Sequence, residues 1–163
     1  MAHLRMIGLA VLAACGQAKA EPAATHSGLT APAGWQSLPQ LAEAVSAAGR
    51  DAKIAIDGSE AWGETAMGCY ATWLALSGGD AAPEVLADQL LASLGAAKLV
   101  VRDVVKPSST AGTLSLRFER AAYRGRLRAE LSKGHITAVA CFANQREPVA
   151  CESACTTWIG AMK

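Results

Sequence analysis

At 163 residues, with 52% apolar and 18% charged side chains, the chain is long enough for one folded domain plus appendages and too apolar to be disordered. Fifteen basic against 14 acidic side chains leave none of the basic excess that nucleic-acid binding by counterion release draws on. No apolar run reaches the roughly 18–20 residues of a spanning helix, which argues against a polytopic membrane protein.

Taken in chain order, Arg5 precedes the apolar stretch 6–14, and Cys15-Gly16 follow. A basic start, an apolar run of roughly 7–15 residues and small residues after it have the profile of an export signal. The end of that run, Leu12-Ala13-Ala14-Cys15, resembles the lipobox of bacterial lipoproteins. The resemblance implies that residues 1–14 are a signal peptide, that the Cys15 thiol receives a diacylglyceryl group, and that the bond before Cys15 is then cut and the new amine acylated. The acyl chains on Cys15 would moor the protein to a membrane, each buried methylene contributing ~0.8 kcal/mol. Gly16, standing where many inner-membrane lipoproteins carry an aspartate, favours the periplasmic face of the outer membrane by the same analogy. Cleavage would remove Arg5 and no acidic residue, leaving 14 side chains of each sign and no net field to steer a polyanion.

Residues 15–34 are rich in Gly, Ala, Pro, Thr and Ser with one large aliphatic, Leu29, and read as the lipidated cysteine and a flexible tether. The folded body is expected over residues 35–163. Ser37-Leu38-Pro39-Gln40 has the form of a capping box. It opens a helix striped by Leu38, Leu41, Ala42 and Val45 and stopped at Gly49. Residues 53–57 alternate as a strand that ends at the turn signal Asp57-Gly58. Residues 69–76 form a second strand. Pro83 opens a helix with Leu86, Leu90, Leu91 and Leu94 on one side and Gly95 as its cap. Four strands follow, at residues 99–105, 113–119, 123–131 and 136–142. The last of these is apolar on both faces and is therefore expected at the centre of the sheet. A final helix is expected from about Ser153, with Cys155, Trp158, Ile159 and Met162 on one side.

The order α-β-β-α-β-β-β-β-α, with short turns between the last four strands, predicts an α+β domain. Its antiparallel sheet of about six strands carries packed helices. This element order resembles the Mog1/PsbP-like α/β/α sandwich, whose members act mainly by docking onto larger partners; a ferredoxin-like layout is the alternative.

With Cys15 lipidated, Cys69, Cys141, Cys151 and Cys155 remain, an even number suited to two disulfides in an oxidising compartment. Four cysteines allow three pairings. The first expectation joins Cys151 to Cys155 and Cys69 to Cys141, and the next joins Cys141 to Cys151 and Cys69 to Cys155. A redox or metal-handling role for Cys151 and Cys155 is the alternative reading. The usual redox spacing is C-x-x-C, however, and a closed zinc site needs four ligands. Outside residues 1–14 the only histidines are His26 and His135.

No nucleophile elbow, zincin, phosphate-loop or dinucleotide motif is present, so neither catalytic residues nor metal or other cofactors are assigned. Asp57, Glu60 and Glu64 with Trp62 would be a weak carbohydrate-hydrolase site if they cluster at the first hairpin. The hairpin 113–131 offers more. Pairing around Arg120-Ala121-Ala122-Tyr123 sets Glu119 opposite Arg124 and Arg117 opposite Arg126, with Arg128 on the same face. Opposed arginines repel unless something neutralises them. Arg117, Arg124, Arg126 and Arg128 are thus the candidate face for an anionic small molecule or an envelope protein. The expectation is a lipid-anchored binding or accessory module without catalytic activity.

Overall fold

A computed structural model describes residues 27–51, 55–107, 112–145 and 148–161. Its elements are β1 (Gln36–Ser37), α1 (Pro39–Asp51), β2 (Ala55–Glu64), a 3-10 turn (Thr65–Met67), β3 (Cys69–Ser77), α2 (Pro83–Ala96), β4 (Val100–Val105), β5 (Gly112–Arg120), β6 (Tyr123–Ser132), β7 (His135–Asn144) and α3 (Pro148–Gly160). The strands form one sheet in the order β1-β2-β3-β7-β6-β5-β4, and every neighbouring pair is antiparallel. The α+β class with helices packed on an antiparallel sheet is therefore observed. Among the described residues no helix is long and apolar enough to cross a membrane.

Strand β7 lies mid-sheet because both of its faces are apolar. Ile136, Ala138 and Phe142 join a core with β5, β6 and α2. Val139, Cys141 and Ala143 turn the other way, to a core with Trp62, Ala71, Trp73 and Trp158. Helix α2 carries the chain from β3, beside β7, to the far edge strand β4, burying Leu86 and Ala87 on the way. Helix α1 lies on the same side, over Ala61 with Leu41, Ala42 and Val45. Helix α3 covers the opposite side, with Trp158 edge-on to Trp62 at 5.4 Å between ring centroids. Helices on both faces do not fit the ferredoxin-like alternative.

Several boundaries differ from expectation for local reasons. Ser37 pairs with Trp62 in β1, so the capping box does not form and the helix begins at Pro39. Helix α1 continues through Gly49 to Asp51. Asp57-Gly58 is a register irregularity inside β2 and not a turn, since one extra residue can be absorbed as a bulge. Gly95 stays within α2, and Lys98 takes the left-handed position (φ 62°) after its end.

Residues 27–34, expected as the end of the tether, are docked on the sheet. Leu29 and Ala31 pack against the tryptophan core. The Trp158 indole N–H donates to the Thr30 carbonyl at 3.2 Å, and Glu60 accepts hydrogen bonds from the Ser27 amide and hydroxyl. The signal-peptide and lipidation expectations, including Cys15 and His26, lie outside the described residues.

Candidate functional site

Helix α3 starts at Pro148, five residues before the expected Ser153, and this shift decides the cysteine pairing. Cys151 and Cys155 both lie within it, one turn apart, with side chains stacked on one face and aimed at the sheet. Two parallel Cα–Cβ vectors cannot close on each other as a bridge requires. On the sheet Cys69 pairs in register with Ala143 and Cys141 with Ala71. The two strand cysteines are therefore diagonal neighbours, both turned toward α3. Each meets one helical cysteine: Cys69 bridges to Cys151 with Cα atoms 5.7 Å apart, and Cys141 to Cys155 with Cα atoms 5.4 Å apart. Both distances fall in the range of disulfides. This is the third connectivity, and it corrects both pairings expected from sequence. Cys151 and Cys155 are also not each other's redox partner.

The bridges hold α3 over the β3 and β7 side of the sheet and leave the same face open over β4, β5 and β6. The register there is the expected one: Arg117 stands opposite Arg126, Glu119 opposite Arg124 and Ser115 opposite Arg128. One strand further out, Arg102 of β4 stands opposite Arg117. The sheet thus sets Arg102, Arg117 and Arg126 in a single row across three consecutive strands, about 4.8 Å apart. Like charges in this relation destabilise a sheet unless countered, and each arginine leans to a different carboxylate. Arg102 lies 3.7 Å from Glu119, Arg117 lies 3.4 Å from Asp103, and Arg126 hydrogen-bonds Glu152 of α3 at 2.7 Å. All three pairs are solvent-exposed, where such contacts contribute roughly 0–1 kcal/mol each.

These residues line a cleft of about 270 Å³ between the open strands and α3. Arg124 and the bridged cysteines Cys141, Cys151 and Cys155 also line it, with Phe118 and Phe142 among the apolar contributors. Of the four candidate arginines, the structure brings Arg117, Arg124 and Arg126 together in this cleft. Arg128 is held by Glu130 at 2.8 Å, whose carboxylate also accepts from Thr113, and it is not among the lining residues. Arg102 was missed by sequence reasoning because its place depends on how β4 pairs with β5. That register shifts between Arg102 and Val105, where Asp103 adopts a positive φ of 51°. The available signal was the alternation of Arg102 with Val101 in an edge strand.

The other candidates are dispersed. Asp57 accepts a hydrogen bond from Ser77 at one end of β2, Glu60 binds Ser27 in its middle, and Glu64 ends the strand. Trp62 is buried in the core and does not sit at a turn. These side chains span the strand and do not converge on a substrate-sized volume. His135 is exposed at the start of β7. Among the described residues no group of three or more His, Cys, Asp and Glu could hold a metal. No family model matches the chain, and no curated protein matches it.

Proposed function

We propose that the protein is a lipid-anchored cell-envelope lipoprotein acting as a non-catalytic binding or accessory module, with the arginine-lined cleft as its binding face. The observation that carries the reading is the row Arg102, Arg117 and Arg126, three guanidinium groups on one open sheet face with only exposed counter-ions. Repulsion within the row is a cost to the fold, and binding an anionic partner offsets it. Two cysteine pairs at disulfide distance suit an oxidising compartment, as export would provide. Residues 27–34 dock on the sheet, so the proposed spacer is residues 16–26.

The anchor is tested by labelling the expressing cells with a fatty-acid probe. The native chain should carry the label and fractionate with membranes, and Cys15→Ala should lose both. An unlabelled native chain retaining its first residues would refute the anchor. The binding face is tested by cross-linking in intact envelopes, where Arg117→Ala combined with Arg126→Ala should abolish the adduct formed by the native protein.

A further inference from the structure

We propose that the row Arg102–Arg117–Arg126 is a binding site for a phosphate monoester, the class of ligand whose terminal group is a compact dianion with three exposed oxygens. The inference rests on the reading of the arginine cleft as the binding face and names its ligand chemistry. Three observations converge on it. The row places guanidinium groups on consecutive strands, so two neighbouring forks can share one tetrahedral group between them. The donors are mostly uncommitted: the carboxylates nearest Arg102 and Arg117 stand at 3.7 and 3.4 Å. Arg124, on the same wall, has no ion pair among the described residues. The cleft is also small, at about 270 Å³, just below the roughly 300 Å³ where drug-sized ligand pockets begin. A single headgroup fits within it.

Asp103, Glu119 and Glu152 flank the row and sharpen this choice. A long polyanion laid over the cleft would meet all three carboxylates. A single phosphate seated between Arg117 and its neighbours needs only the two long contacts, to Asp103 and Glu119, to yield. Arg126 keeps its shorter bond to Glu152, which fixes the inner end of the row against the disulfide-held helix. These carboxylates act as resident competitors, so removing one should strengthen phosphate binding, whereas in a docking surface that uses both signs the same change would weaken it.

The test is titration of the folded protein with inorganic phosphate, followed by amide NMR shifts at constant ionic strength. A parallel arm measures co-sedimentation with phosphatidylcholine vesicles with and without phosphatidic acid, a phosphate monoester in a bilayer. Saturable shifts confined to β4, β5 and β6 are expected. Arg117→Ala should weaken binding by about tenfold or more, as losing a charge-assisted bidentate contact implies. Asp103→Asn should tighten it several-fold, and Arg128→Ala should leave it unchanged. Binding in the vesicle arm alone assigns the group to a lipid headgroup, and binding of free phosphate alone assigns it to a soluble ligand. Absence of binding in both arms overturns the proposal. So does an equal loss in Arg128→Ala, which would mean diffuse attraction, or a loss in Asp103→Asn. Failure here with an arginine-dependent cross-link in the envelope would leave the binding-face reading standing and remove only the phosphate assignment.

Discussion

The two disulfides differ in how much chain they close, and that difference makes their removal quantitatively predictable. Cys69 and Cys151 are separated by 82 positions, Cys141 and Cys155 by 14. In the loop-entropy treatment, opening the first raises the entropy of the unfolded chain enough to cost about 4.5 kcal/mol at 25 °C, and opening the second about 3 kcal/mol. The variant Cys69→Ala with Cys151→Ala should therefore be the less stable of the two double variants by about 1.5 kcal/mol. The loops interleave, sharing residues 141–151, so each bridge closes less free chain while the other is present, and removing all four cysteines should cost slightly more than the two separate losses combined. Urea unfolding followed by tryptophan fluorescence reads these values, because Trp62, Trp73 and Trp158 lie in the core that the bridges staple. The connectivity itself is checked by non-reducing digestion with trypsin and a glutamyl-specific protease. The second enzyme cuts after Glu152 and so separates Cys151 from Cys155. Fragment 65–84 should be linked to 147–152, and fragment 134–146 to 153–163. A linkage between 147–152 and 153–163, or equal stability losses in the two variants, would refute the reasoning.

Other positions carry predictions of the same kind. Ala121 sits at φ 49° in the β5–β6 turn, a conformation costly for residues with a Cβ, so Ala121→Gly should stabilise by about 1 kcal/mol in thermal or urea unfolding. Gly125→Ala should destabilise by roughly 1–3 kcal/mol. Its new Cβ would stand 2.5 Å from the Cys141 carbonyl oxygen and 2.7 Å from the Phe118 ring. Trp158→Phe removes the indole N–H bonded to Thr30, and the segment 27–34 should become more susceptible to limited proteolysis while β5, β6 and β7 stay protected. Arg117→Thr removes the central member of the repelling row and should raise stability by a few tenths of a kcal/mol, up to about 1. A fall in stability would show that the row is held together by its counter-ions more strongly than exposed pairs normally are.

Local pattern carried a large part of this structure. The alternation of Leu114, Leu116 and Phe118 against Ser115, Arg117 and Glu119 is enough to define a strand and its two faces. The short turn at Ala121 and Ala122 then sets the register of β5 on β6, because in a hairpin the loop fixes which residues face each other. The two-sided apolar character of residues 136–142 placed β7 inside the sheet, since only a covered strand keeps apolar side chains on both faces. Helix ends were less legible: Gly49 and Gly95 are weak stops where tertiary packing favours another turn, and Pro148 opens α3 earlier than its apolar stripe suggests.

Everything that joins distant segments was decided in three dimensions. The four cysteines are visible in the chain, but their partners depend on α3 lying across β3 and β7 with both of its cysteines facing down, a placement set by burial of Trp158 against Trp62. Arg117 and Arg126 face each other through one short turn, whereas Arg102 joins them only because α2 carries the chain to the far edge of the sheet and β4 pairs back onto β5. Periodicity reports which side of an element is apolar, because that is a property of neighbouring residues. Which elements those sides meet depends on the packing of the whole domain, and the arginine cleft exists only once that packing is complete.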